Sequence, residues 1–278
     1  LGADRIVAIT GHGAERVESS VHAQGLVFVR QEPQLGTGHA VLQAVPQLHA
    51  DGTTLILNGD VPLIEAATAQ ALLAAAGGTN LALLTIDLAD PTGYGRVLRG
   101  DPAGRGADVG GRVHGIVEEK DATPAQRAIS EIYTGIMAAP TAHLKRWLAR
   151  LTNDNAQREY YLTDIVALAV ADRVPVVTAN PRHEAEVLGV NSPLQLAELE
   201  RRFQRSQADA LMESGVRLAD PARFDLRGEM QCGPARRLTD KARHQRGAPS
   251  PPGFHASASV HGLQFQDRHS CRHCVIPI

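Results

Sequence analysis

Short apolar runs alternate with helix-like runs along most of this chain, and that alternation leaves few folds open. "RIVAIT" (residues 5–10) precedes the helical "GAERVESSVHA", "GLVFVR" precedes a helix from about Gly38, and "TTLILNGD" precedes "AATAQALLAAA". "NLALLTIDL", "RVHGIVEE" and "EIYTGIMAA" add strands around a glycine-rich excursion at residues 93–111. "TAHLKRWLARL" and "TDIVALAVAD" have helical period, and "VPVVTA" and "EAEVLGV" have extended character. Strands this short and apolar are buried on both faces, so helices must cover both sides of a mainly parallel sheet. The expected class is α/β.

One helix is marked at both ends. Ser192 is a good N-cap and Pro193 suits the first helical position. Leu196, Leu199, Phe203 and Leu211 share a face, and Gly215 is a stop signal. After about Met230 no period of 2 or 3.6 persists, and Arg, His, Pro and Ser dominate, so residues 229–278 are expected to be an irregular or disordered tail behind a domain at 1–228.

Composition narrows the partners. With 28 basic against 30 acidic side chains the net charge is −2, which argues against a protein built to bind nucleic acid non-specifically. No apolar run approaches a bilayer span and no signal-peptide pattern opens the chain, so no membrane partner and a cytoplasmic location are expected. Cys232, Cys271 and Cys274 all lie near the end, so no disulfide framework supports the main body. "LGADRIVAIT" reads as a helix end and a strand, and we expect the chain to begin inside a fold.

Five loops carry residue types suited to chemistry. In "QEPQLGTGHA", Gly36 and Gly38 let backbone approach a ligand, N–H groups at a helix start face one way, and the Gln31 amide can read the edge of a flat base. A plain strand-to-helix turn is the competing reading. In "LILNGDVPLI" an apolar strand runs into Asn58, Gly59 and Asp60. Ligands of open α/β sheets bind beyond the carboxyl ends of strands, where a carboxylate can hold a divalent cation. Asp60 as a turn former is the alternative. "DPTGYGRVLR" places Gly93 and Gly95 around Tyr94. "GIVEEKDAT" ends a strand with Glu118 and Glu119, alternatively a solvated charge cluster. "EAEVLGVNSP" sets Asn191 between a strand and the Ser192 cap, alternatively as a turn residue.

The ordered series "QEPQLGTGHAV", "LNGDVPLI", "DPTGYGR", "GIVEEKDA" and "GVNSPLQLAELERR" resembles the uridyltransferase domain of the bacterial bifunctional N-acetylglucosamine-1-phosphate uridyltransferase / glucosamine-1-phosphate acetyltransferase family. "REYYLTDIVALA" and "DPARFDLRGEM" extend the resemblance over about residues 1–233. It implies a Rossmann-like nucleotide-diphospho-sugar transferase fold with a mixed, mainly parallel sheet. It implies a UDP-N-acetylglucosamine diphosphorylase that makes this nucleotide sugar and pyrophosphate from UTP and N-acetylglucosamine 1-phosphate, for peptidoglycan and lipopolysaccharide synthesis. By resemblance Gln31, Gly36 and Thr37 hold the uracil, and Asn58, Gly59 and Asp60 lie beside sugar and phosphates. Gly95 and Glu118 bind the N-acetylglucosamine moiety, and Asp60 and Asn191 are Mg²⁺ ligands. Such a transfer needs positioning and charge neutralisation rather than a side-chain nucleophile. No catalytic side chain is therefore assigned, and His39 is read as structural. A nucleotidyltransferase for another sugar and a non-catalytic nucleotide-sugar-binding remnant are the alternatives.

Three departures from the family pattern set further expectations. The glycine-rich "LAAG-x-G-T-x-M" loop and its lysine have no match here, nor does the central first strand, so weak UTP binding and little activity are expected. Tyr133 in "EIYTGI" stands where the family pattern has a sugar-contacting asparagine. After "DLRGE" no hexapeptide repeats follow, as a shifted reading frame or a truncated gene would produce. The acetyltransferase and trimer-forming parts, and with them the family's homotrimer, are therefore not expected. The tail's "HSCRHC" (His269, Cys271, His273, Cys274) lacks the two separated ligand pairs usual for zinc and is read as accidental.

Overall fold

The computed structural model describes residues 1–100, 111–228, 237–238 and 273–277. They fall into two compact units, Leu1–Val187 with Leu263–Ile278, and Leu188–Gly262. The division differs from the expected boundary near residue 228.

The first unit is built on strands β1 (Arg5–Thr10), β2 (Leu26–Arg30), β3 (Thr53–Ile56), β4 (Leu81–Asp87), β5 (Gly95–Arg99), β6 (Val113–Val117), β7 (Glu131–Pro140) and β8 (Val176–Ala179). In the second unit β9 (Arg217–Leu218) and β10 (Arg237–Leu238) make a separate parallel pair. A last strand, β11 (His273–Pro277), returns to the first unit. The main sheet runs β2-β1-β11-β3-β7-β4-β8, with β5 against β7 and β6 against β5. Strands β2, β1, β11 and β3 are mutually parallel, and β7 is antiparallel to β3, β4 and β5. The expected mixed, mainly parallel α/β sheet is present.

Alternation along the strands explains the layers, because successive side chains point to opposite faces. Ile56 and Leu83 join the core beneath helices α2 (Thr37–Ala44), α5 (Thr141–Leu148) and α6 (Ile165–Ala171), with Val41, Trp147 and Val166. Their neighbours Leu55, Ala82 and Leu84 join the other core, under Leu72 and Ala76 of helix α3 (Ala66–Ala76). Trp147 is fully buried, and its Nε1 donates to Asp172 Oδ2 at 2.8 Å. Short helices α1 (Ala14–Ser20) and α4 (Pro124–Arg127) complete the unit.

Two sequence expectations change in this unit. Strand β11 lies between β1 and β3 where an irregular tail was expected; Val275 is fully buried in the core with Val7, and its carbonyl accepts from Leu57 N at 2.9 Å. Five residues are too few to show a period, and their partners are remote in sequence. In "EAEVLGV", Glu184–Val187 form a 3₁₀ turn rather than a strand. The buried Glu186 carboxylate accepts from Arg182 N at 2.8 Å, His183 N at 3.1 Å and Glu65 N at 3.3 Å, and these bonds turn the chain.

In the second unit helix α7 (Pro193–Glu213) has the expected punctuation. Ser192 Oγ accepts from Gln195 N at 3.2 Å, and Gly215 takes φ +95°, open to glycine without penalty. Its apolar face differs from expectation. Leu199 is buried, but Leu196 is 54% and Phe203 39% exposed. The buried line instead runs through Leu199, Gln204 and Ala208. Gln204 both accepts from Leu226 N at 2.7 Å and donates to Leu226 O at 3.1 Å. A polar side chain that holds a backbone segment is invisible to an apolar-face count. Among the described residues no helix is long and apolar enough to cross a membrane.

Candidate functional site

The parallel strands β2, β1, β11 and β3 present their carboxyl ends at one rim of the sheet. Two predicted loops leave there, Gln31–Gly36 after β2 and Leu57–Asp60 after β3.

The first loop answers what two glycines do at a strand-to-helix junction. Gly36 is the N-cap of α2 with φ +99°. A Cβ on it would lie 2.8 Å from both Glu159 Cβ and Tyr160 O, and one on Gly38 would lie 2.5 Å from Leu151 Cδ1. Gly38 N donates to Tyr160 O, and Tyr160 N donates to Leu35 O, both at 2.8 Å. The glycines thus admit the "EYYL" segment against the loop. Thr37 Oγ1 accepts from Leu162 N at 3.2 Å. Gln31 Nε2 donates to Gly36 O at 2.9 Å and lies 3.1 Å from His39 Nδ1, which fixes the amide plane. No hydrogen bond from a described residue reaches Gln31 Oε1.

Thr163, next along that segment, ties this loop to the fourth motif. Its Oγ1 donates to Glu118 Oε1 at 2.8 Å. Glu118 follows β6 and stands over Gly95 at the start of β5, where a Cβ would come within 3.4 Å of Glu118 Oε2. Gly95 pairs with Tyr133 of β7. Burial first, then the neighbouring Asp164 and Asp121, push the Glu118 carboxyl above the ordinary range against the Thr163 hydrogen bond. Burial, with a smaller contribution from Glu118, raises the Tyr133 phenol strongly. The Tyr133 hydroxyl is buried and has no hydrogen-bond partner among the described residues.

The second motif lies beside strand β7. Asn58 Nδ2 faces Thr134 O at 3.5 Å. Asp60 is exposed, and no hydrogen bond or ion pair with a described residue engages its carboxylate. Its charge reaches Tyr94, whose phenol is raised by burial first and then by Asp60 and Glu184. Residues 31–37, 58–60, 94–95 and 118 thus form one connected rim. Asn191, the last predicted residue, lies exposed in the second unit, with its backbone N donating to Gln195 Oε1 at 2.7 Å.

Among the described residues no group of three His, Cys, Asp or Glu side chains could hold a metal alone. Mg²⁺ asks for less, one or two carboxylates with the rest from water and substrate phosphates. The disengaged Asp60 carboxylate fits that demand. Of the tail's "HSCRHC", His269 and Cys271 lie outside the described residues, and for His273 and Cys274 only the strand backbone is described.

Sequence reasoning missed several supporting groups. Arg96 is almost wholly buried, pairs with Glu119 at 2.6 Å and donates to Tyr94 O. Glu118 and Glu119 therefore form no solvated cluster. Thr163 and Gly135 carried no motif of their own, and only the quoted "REYYLTD" pointed to the former.

Comparison with known proteins agrees with this architecture. Residues 1–114 match the MobA-like NTP transferase domain family. The chain is 70% identical over 237 residues to the bifunctional protein GlmU of Methylibium petroleiphilum, covering 84% of this chain and 50% of that protein. It is 62% identical over 245 residues to the bifunctional protein GlmU of Paracidovorax citrulli, again with 84% and 50% covered. The chain thus spans about half the length of the curated relatives it matches. A UDP-glucose pyrophosphorylase complexed with UDP-glucose superposes with TM-score 0.54 at 12% identity, over 73% of this chain and 81% of that one. A putative glucose-1-phosphate thymidylyltransferase from Bacillus anthracis superposes with TM-score 0.51 at 14% identity, over 70% and 74%. These solved structures share the nucleotidyltransferase fold.

Proposed function

We infer that this chain is the sugar nucleotidyltransferase part of a GlmU-type protein, joining N-acetylglucosamine 1-phosphate to the α-phosphate of UTP with release of pyrophosphate. The observation that carries this reading is 70% identity to a GlmU protein over 84% of the chain. The rim at the carboxyl ends of the strands supports it as the place where ligands of such sheets bind.

Each side chain has a task it can perform. Gln31, with its nitrogen engaged by Gly36 O, turns Oε1 outward as an acceptor for the imide N–H of uracil. Gly36 and Thr37, on the same loop and at the start of α2, would lie beside the base. Asn58, Gly59 and Asp60 face sugar and phosphates. Glu118 receives a sugar hydroxyl or amide on Oε2, over the space that Gly95 leaves. Asp60 would hold Mg²⁺, which when bound would supply charge neutralisation for the phosphates. The product serves cell-wall and lipopolysaccharide precursors.

Calorimetry with UDP-N-acetylglucosamine, UDP-glucose and UTP, with and without Mg²⁺, tests the reading alongside a pyrophosphate-release assay. The expected result is preference for UDP-N-acetylglucosamine over UDP-glucose and a Mg²⁺-dependent gain that Asp60→Asn abolishes. Failure of every nucleotide to bind would overturn the assignment, and equal binding of UDP-glucose would overturn the choice of sugar. The weak UTP binding expected from the sequence is read in the same titration.

A further inference from the structure

Strand β7 changes partners in its middle. With β4 the ladder runs Ala82↔Ala138 and Leu83↔Met137, then resumes at Thr85↔Tyr133. One residue of β4 therefore faces Thr134, Gly135 and Ile136 of β7, a bulge. On its other side β7 leaves β3 after Ile56↔Met137 and takes up β5 at Gly95↔Tyr133. Gly135 sits at the centre with φ +86°, a conformation that side chains other than glycine rarely adopt. Thr134 Oγ1 pins the bulge by donating to the buried Leu84 O at 2.9 Å.

The space left at Gly135 is filled by Asn58. A Cβ on Gly135 would lie 2.0 Å from Asn58 Nδ2, 3.0 Å from Cγ and 3.2 Å from Oδ1. Bulges are common next to active sites, where they re-aim a side chain. We propose that Gly135 is a positioning residue: its bulge forms a seat that holds the Asn58 amide at the rim in the orientation used for nucleotide-sugar binding. Its link to binding rests on the function inferred above; the seating itself does not. A side chain at 135 drives Asn58 out of its seat.

The test is a double-mutant cycle with Gly135→Ala, Asn58→Ala and both together, read two ways. Calorimetry with UDP-N-acetylglucosamine should show each single variant weakening binding about tenfold, with the double variant no weaker than either, because both remove one arrangement. A merely structural glycine would give losses that multiply, and unchanged affinity in Gly135→Ala would also overturn the proposal. The second reading is the Asn58 side-chain amide resonance in ligand-free protein, assigned by its loss in Asn58→Ala. It should move in Gly135→Ala to the position of a solvent-exposed asparagine. A resonance that stays in place overturns the seating. If the unaltered chain binds no nucleotide sugar while the resonance moves, the seat stands and the functional reading fails instead.

Discussion

Two polar side chains make separate predictions about proton and hydrogen-bond chemistry. The buried Tyr133 hydroxyl has no partner among the described residues, so it carries a desolvation penalty without compensation. Tyr133→Phe should leave stability unchanged or raise it by about 1 kcal/mol. Urea denaturation checks this, and a clear loss of stability would reveal a partner for the hydroxyl. Glu118 titrates above the ordinary carboxyl range because burial and two aspartates disfavour its charge. The folded state therefore holds the proton more tightly than the unfolded chain, and stability falls as pH rises from the ordinary carboxyl value through the raised one. Glu118→Gln should flatten that decline and stabilise the protein at neutral pH. Melting temperature against pH reads the difference, and parallel curves for the two proteins would contradict it.

At the scale of elements, legibility followed the length of local pattern. Strands such as "RIVAIT" and the capped helix after Ser192 were readable because their own residues carry period and punctuation. The sequence could not show that Glu186 would gather three backbone N–H groups and turn "EAEV" away from an extended path, nor that Gln204 would occupy the buried line of α7. It also could not show β11, whose five residues pair with strands more than 200 positions earlier. Val275, fully buried between β1 and β3, makes that element testable. Val275→Asp should destabilise the protein by roughly 3 kcal/mol or more, since a buried unpaired charge is among the largest single-residue penalties. A neutral effect on denaturant unfolding would place residue 275 outside the sheet.

For the whole molecule, the proposed site was legible as residue types and order, while the contacts that join its loops were not. "QLGTGHA", "LNGD" and "GIVEE" each allowed a bland reading as turn or surface charge. What joins the first and last of them is connection: Leu162 bonded to Thr37, Thr163 bonded to Glu118, and Glu118 over Gly95. The first two links run through "YLTD", a segment that holds none of the predicted site residues. Hydrogen–deuterium exchange on adding UDP-N-acetylglucosamine with Mg²⁺ tests this convergence most directly. Peptides covering residues 31–37, 58–60, 94–95 and 118 should gain protection together, at one ligand concentration. Protection confined to one of these loops, or appearing instead only around Val113 and Val177, would contradict a single nucleotide-sugar site at this rim.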